Sequence, residues 1–378
     1  MRITIAQGAF LPVPPLRGGA VEKVWFQLGK LFAAKGHEVT HLSRLCDDLP
    51  PEETIDGVSH LRVPGFSTPS SLWKLKFLDL LYSRRVKRAL PEADLLLTNT
   101  FWLPILVKNP RLGRLYVHVG RYPKGQMKFY RGAARLHAPS TAIAEAIRRE
   151  APKLAHRVRS IPYPLPWKPS SVEEAAAGRE PVILYLGRIA PEKGLDALVR
   201  SYVALPEELR GKWKLRIIGP AATSQGGGGR TYLGRLRERA APVASRVEFP
   251  GPVFDENKLR SELGRASLFV YPSLAERGET FGLAPLEAMS CGCPALVSGL
   301  ACFRDFIEDG EDGFTFDHKG DDPSLALCSK LRTLLENPER LRQASSPALR
   351  KATKFEADQV ADLYLADFRE LLEEKATG

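Results

Sequence analysis

Short apolar runs recur along the first 140 residues: RITIAQ, EVTHLS, VSHLRV, DLLLT, RLYVHV and RLHAPS. Each is long enough for a strand and too short for a buried helix. Between several of them lie longer stretches with apolar residues at helical spacing, the clearest from Gly18 to Ala34. Short apolar strands alternating with amphipathic helices predict a parallel sheet covered on both faces. The pattern stops at IPYPLPWKPSS, residues 161–171, whose four prolines continue neither a helix nor a central strand. It then restarts with VILYLG, KLRIIG, RVEFPG, SLFVYPS and PALVS. The chain therefore reads as α/β, with doubly wound domains over 1–165 and 172–354. A helical tail, 355–378, follows, and the pattern does not say where it packs. Ligands of such sheets gather at the carboxyl ends of strands, which singles out the loops after Gly187, Gly219, Gly251 and Tyr271. The stretch SQGGGG, residues 224–229, reads as a mobile loop.

A chain of 378 residues agrees with two domains, and 26% charged residues against 44% apolar ones marks it as globular. It contains no apolar run of about 18 residues, so no membrane span is expected. MRITIAQGAF reads as a strand and not as a signal peptide. Five scattered cysteines, Cys46, Cys291, Cys293, Cys302 and Cys328, form no disulfide framework and suggest reduced thiols in a cytoplasmic protein. The net charge of +11 is uneven: residues 1–170 carry 27 Lys and Arg against 12 Asp and Glu, the remainder 28 against 32. A basic half of this kind suits a phospholipid surface on the inner face of a membrane, a phosphorylated glycan or nucleic acid; the bland reading is a solvated surface. No recognition motif with stacking aromatics supports nucleic acid. SLWKLKFLDLLYSRRVKRAL, residues 71–90, fits both an interfacial membrane helix and a core helix with a solvated basic face.

Candidate chemistry concentrates in two places. LGRIAPEKG, residues 186–194, ends a strand and opens a helix, so Arg188 and Lys193 can converge on phosphate oxygens beside Gly187; the plain alternative is solvated surface charge. In ETFGLAPLEAM, residues 279–289, Pro285 suits a first helical turn, and the amides of Phe281, Gly282 and Leu283 then face an anion. Glu279 and Glu287 can be an acid/base pair, half a metal site, or acceptors for hydroxyls; Glu287 in the first turn can also simply offset the helix dipole. RGGAVEK opens the first helix with Gly18 and Gly19, letting backbone approach a phosphate closely. Cys291-Gly-Cys293 lacks partners at zinc-like spacing and reads as buried thiols.

The eight-residue interval between Glu279 and Glu287, within PSLAERGETFGLAPLEAMSCGCPAL, together with GRIAPEKG upstream and EDGEDGFTF at 308–316, resembles the retaining glycosyltransferases of family 4. The resemblance is specific over 182–318 and looser in the N-terminal half. It implies the GT-B fold, two Rossmann-like domains facing a cleft, and a nucleotide-sugar donor. By resemblance Arg188 and Lys193 bind the donor diphosphate, the amides after Glu279 assist, Glu279 accepts from the transferred sugar and Glu287 from the ribose. His118, after the strand RLYVHV, is then expected near the donor sugar, with Arg121 and Lys124 meeting an anionic acceptor; the competing expectation is a histidine satisfied within the fold. The acceptor implied is a glycan, lipid-linked or lipopolysaccharide-type molecule of the cell envelope. A small soluble metabolite and a non-catalytic sugar-nucleotide-binding protein are the alternatives. No aspartate metal motif is visible, so no metal or other cofactor is expected.

Overall fold

A computed structural model describes residues 1–16, 19–46, 48–69, 71–176 and 178–374. Two compact units divide the chain: Met1–Pro166 with Ala357–Gly378 (unit 1), and Trp167–Glu356 (unit 2).

Unit 1 is built on eight strands: β1 (Arg2–Ala6), β2 (Glu38–Leu45), β3 (Glu52–Ile55), β4 (Val58–Pro64), β5 (Leu95–Thr98), β6 (Arg114–His118), β7 (Arg135–Ala138) and β8 (Val158–Ser160). They lie in the order β3-β4-β2-β1-β5-β6-β7-β8. All neighbours are parallel except the edge pair β3–β4, a hairpin. Strands such as β5 (LLLT) are buried at every position because helices cover both faces, which is why they read as unbroken apolar runs. Helix Ala20–Ala34 turns Val24, Trp25, Leu28 and Phe32 inward, the spacing of one helical face.

Helix Ala357–Glu373, the tail left unplaced by the sequence pattern, belongs to unit 1. Its buried stripe sets Phe368 edge-on against Phe32 and Tyr116, and Tyr364 against Trp25. Its acidic residues meet basic ones: Asp367 pairs with the buried Arg135 at 3.1 Å, and Asp362 with Lys35 at 2.9 Å. Counting the tail, unit 1 carries 28 Lys and Arg against 18 Asp and Glu. The basic excess of the N-terminal half is thus partly offset within its own fold.

Unit 2 carries β9 (Glu180–Leu186), β10 (Lys214–Ile218), β11 (Val247–Gly251), β12 (Ala266–Tyr271), β13 (Ala295–Ser298) and β14 (Phe314–Phe316), all parallel, in the order β11-β10-β9-β12-β13-β14. Strand order reverses between β9 and β12, and such a switch point opens a crevice at the carboxyl ends. The loops at that point are residues 187–194 and 272–282. The glycine-rich stretch 224–229 corrects the sequence expectation of a mobile loop. It is a folded turn in which the amides of Gly226, Gly227, Gly228 and Gly229 donate to Thr223, Ala222, Ile189 and Ala221. At Gly227 and Gly228 the tight fold leaves no room for a Cβ, which would fall 2.3 Å from the Ala221 carbonyl oxygen and 2.8 Å from the Tyr232 ring.

Candidate active site

The switch point of unit 2 brings Lys193 and Glu279 together, 86 residues apart in sequence. Lys193 lies in a single turn, Pro191–Lys193, closed by Gly194 in the left-handed region (φ 70°). A side chain at Gly194 would put its Cβ 1.9 Å from the Pro272 carbonyl oxygen, so only glycine lets this turn reach the loop after β12. The Leu274 amide donates to the Glu192 carbonyl at 2.9 Å and ties the two loops together.

Across that contact the Lys193 ammonium donates to Glu279 Oε2 at 2.7 Å and to the Tyr271 hydroxyl at 2.8 Å. Ser273 Oγ donates to the same Oε2 at 3.0 Å. Both charged side chains are about nine-tenths buried, 9% and 10% exposed. An ammonium has three donors and a carboxylate two oxygens. Among the described residues, then, one N–H of Lys193 and Oε1 of Glu279 are left for a ligand. Tyr271 stacks on Tyr185 at 5.7 Å, and burial, then the Glu279 charge, drives both phenols far above their usual range. Tyr271 and Ser273 were missed in the sequence. The available signal was two hydroxyls closing the apolar run of SLFVYPS.

Arg188 leaves β9 at Gly187 and is more open, 42% exposed. It pairs with Glu192 at 3.1 Å and donates to the Gly226 carbonyl of the glycine-rich turn. The Tyr185 hydroxyl holds the Arg188 carbonyl at 2.8 Å.

Helix Leu283–Ser290 begins at Gly282 (φ 95°), where an added Cβ would fall 2.3 Å from the Phe303 ring. Gly282 has no side chain to cap the amides of the first turn. Phe281 is anchored against Phe306 and Phe355. Glu287 is the fifth residue of this helix, whose first turn holds no acid. The expectation of Glu287 in the first turn is thereby corrected, and dipole compensation loses its basis because that effect fades beyond one turn. Cys291 and Cys293 are buried thiols; burial pushes Cys293 up to about 12.

The other expected site residues belong to unit 1. Gly18 lies outside the described residues. Gly19 precedes helix Ala20–Ala34 with φ 100°. Glu22 folds back on it, so that a Cβ at Gly19 would meet Glu22 Oε2 at 2.2 Å. Burial raises the Glu22 carboxyl, and Arg121 nearby opposes the shift. Arg121 and Lys124 are exposed. His118 differs from the expectation of a ring open to substrate: it is 2% exposed, with Nδ1 2.8 Å from His137 Nδ1 and Nε2 2.9 Å from the Tyr163 hydroxyl. The alternative, a histidine satisfied within the fold, describes this arrangement.

Residues 169–351, just under half of the chain and nearly all of unit 2, match the family model Glycosyl transferases group 1. Among curated proteins the chain is 31% identical over 197 residues to D-inositol 3-phosphate glycosyltransferase 2 of Catenulispora acidiphila, a match covering 50% of this chain and 44% of that relative. The chain thus spans less than half the length of this relative. Among solved structures it resembles sucrose-phosphate synthase of Thermosynechococcus elongatus, with a TM-score of 0.80 and 20% identity over 99% of both chains. It also resembles Anabaena HepE in complex with UDP-glucose, with a TM-score of 0.70, 17% identity, and 99% and 100% of the two chains covered. The fold is that of GT-B structures such as these: α/β, with two parallel sheets.

Proposed function

We propose that this chain is a retaining glycosyltransferase that takes a sugar from a nucleotide-diphosphate donor held on unit 2. The observation that carries the reading is the buried Lys193–Glu279 pair at the sheet's switch point, which keeps one cationic donor and one carboxylate oxygen for a ligand. Lys193 and Arg188 stabilise charge developing on the leaving diphosphate, the largest catalytic contribution such a site offers. Glu279 accepts from hydroxyls of the transferred sugar and Glu287 from the ribose, since a carboxylate is a strong acceptor for neighbouring hydroxyls. With two cations at the diphosphate, no divalent ion is needed. The UDP-glucose bound by HepE makes uridine sugar nucleotides the first donors to try. The acceptor meets unit 1 through Arg121 and Lys124 and is a glycan, lipid-linked or lipopolysaccharide-type molecule. The inositol phosphate in the name of the curated relative favours a small phosphorylated polyol as the alternative.

Calorimetric titration separates the two carboxylates and tests the reading. Glu287→Gln is expected to weaken UDP and a UDP-sugar alike by roughly 1.5–3 kcal/mol, the worth of a charge-assisted hydrogen bond. Glu279→Gln is expected to leave UDP nearly unchanged while lowering turnover. An acid/base pair would leave all binding intact, and a metal site would lose activity in chelator. If Glu279→Gln loses UDP as badly as Glu287→Gln, the division of labour is wrong.

We also propose that unit 1 touches an anionic membrane. In helix Leu72–Ala89, Asp79, Tyr82 and Val86 face the core, while Trp73 and Phe77 are 85% and 59% exposed beside Lys74 and Lys76. Aromatic rings flanked by cations suit a headgroup layer. No described helix is long and apolar enough to cross a membrane. The chain is expected to sediment with anionic but not neutral vesicles at low salt, and to be released as salt screens the attraction. Equal binding to both vesicle types, insensitive to salt, would remove this contact.

A further inference from the structure

Unit 1 contains a second buried polar array, to which donor binding assigns no role. Neighbouring strands β6 and β7 set His118 directly opposite His137. Their rings stack with centroids 5.0 Å apart, and Trp25 covers both edge-on. With the two Nδ1 atoms 2.8 Å apart, one must donate and the other accept. The direction is decided at the far end. His137 Nε2 is 2.8 Å from the Ile161 carbonyl oxygen, which can only accept. His137 therefore carries its proton on Nε2 and offers a lone pair at Nδ1. His118 must then carry its proton on Nδ1, and its Nε2 lone pair receives the Tyr163 hydroxyl. Tyr364, on the C-terminal helix, places its oxygen 3.0 Å from His137 Nε2 as a second acceptor for the same N–H.

We propose that His137 is a positioning residue: by fixing one tautomer and one orientation of His118, with Tyr364 closing the array from the C-terminal helix, it seats the turn that carries Arg121 and Lys124. The connection to the turn is direct. The Val119 amide donates to the His137 carbonyl at 2.8 Å. Gly120 is pressed against the array, where an added Cβ would lie 2.7 Å from His118 Nε2 and 3.2 Å from the Tyr163 hydroxyl. Charges enter only at the margins. Burial, and then the charge of Glu22 on helix Ala20–Ala34, raises Tyr163, and Glu22 lies near Arg121. On the other side Tyr116 stacks on His137 and donates to Asp367, which pairs with Arg135. Burial keeps both imidazoles well below their usual pKa, and the array needs His137 neutral, because an imidazolium there would direct two N–H groups at one another, while a second proton on His118 would turn the Tyr163 hydroxyl away from Nε2.

The role of the turn rests on the acceptor reading above; the tautomers do not. Nitrogen-15 NMR of the histidine-labelled full chain is expected to show His118 protonated on Nδ1 alone and His137 on Nε2 alone, unchanged from pH 8 to pH 5. Hydrogen exchange supplies the second readout. In His137→Phe, the amides of residues 119–121 should exchange at least about tenfold faster relative to those of β1, a local change that general loosening does not produce. Tyr163→Phe removes the proton donor to Nε2 and keeps the ring, so it serves if the first variant fails to fold; its His118 Nε2 resonance should move to that of a free lone pair. Finding His118 protonated on Nε2, or exchange at 119–121 that only follows β1, overturns the proposal. If both readouts appear and no sugar nucleotide is turned over, the array stands and the functional reading falls.

Discussion

Lys193→Met is expected to lose about 10²–10³ in turnover, the usual cost of removing one group that stabilises developing charge. It is also expected to lose stability. Glu279, 10% exposed, would be left without its cation, and breaking a buried pair from one side costs about 3–5 kcal/mol. Arg188→Ala makes the useful contrast. Its ion pair with Glu192 is 42% and 45% exposed, a setting worth about 0–1 kcal/mol, so its turnover should fall comparably while its melting temperature barely moves. The double variant Lys193→Met/Glu279→Gln should regain much of the lost stability and none of the activity. The assay is release of nucleoside diphosphate from the sugar nucleotide that most raises the wild-type melting temperature, a ligand at 100 times its Kd being worth about 2.7 kcal/mol. Turnover of folded Lys193→Met within threefold of wild type would remove Lys193 from the reaction.

The second large effect is acid destabilisation. Four histidines of unit 1 are buried. Burial is the main cause lowering His60 and His137 to about 4, and it takes His41 and His118 well below their ordinary value of 6.5. Between pH 6.5 and about 4 the unfolded chain therefore binds protons that the folded chain refuses, so stability is full above pH 6.5 and falls as pH drops. Over the whole window His60 and His137 each account for about 3 kcal/mol. Two carboxyls act in the opposite sense: burial raises Asp79 to about 6 and also raises Glu22, so the folded state holds their protons longer and they partly offset the loss. The histidines outnumber them. The melting temperature at pH 5 should be roughly 10 °C below that at pH 7.5. His41 gives an internal check, because neither ring nitrogen has a hydrogen-bond partner among the described residues. His41→Phe takes a partner from no polar group among the described residues, so it should be near neutral at pH 7.5 and flatten the acid limb. A melting temperature constant from pH 7.5 to pH 5 would contradict the assignment.

Much of the fold was legible because parallel strands covered on both faces are apolar along most of their length. That pattern marks β1, β5, β9 and β12 in the chain without reference to their neighbours. The edge strands β3 and β8 were not recognised: EETI in β3 shows no fully buried position, and β8 is three residues long. Of the candidate site, Arg188, Lys193 and Glu279 stand in loops that glycines and a proline mark in the sequence, and Glu287 on the helix that follows. Their contacts are not so marked. Nothing in LGRIAPEKG shows that Lys193 would rest on Tyr271 and Glu279 while Arg188 turned to Gly226. The glycine-rich stretch misled for a related reason. Composition suggests flexibility, whereas the glycines are there because the chain folds tightly on itself and a Cβ at Gly227 would fall 2.3 Å from the Ala221 carbonyl oxygen.

The sequence by itself determined two α/β sheets of mainly parallel strands, the proline break between them, and the loops of the candidate site. Burial and backbone geometry impose periodicity, glycine and proline locally, residue by residue. The tertiary structure alone decided which polar groups share a proton or a charge: Lys193 with Glu279, Arg135 with Asp367 across 232 residues, and His118 with His137 under Tyr364 of a tail whose packing was unreadable. A hydrophobic pattern records that a face is covered and says nothing of what covers it. Pairing depends on distances of about 3 Å between side chains remote in sequence, and those distances exist only once the sheets have closed.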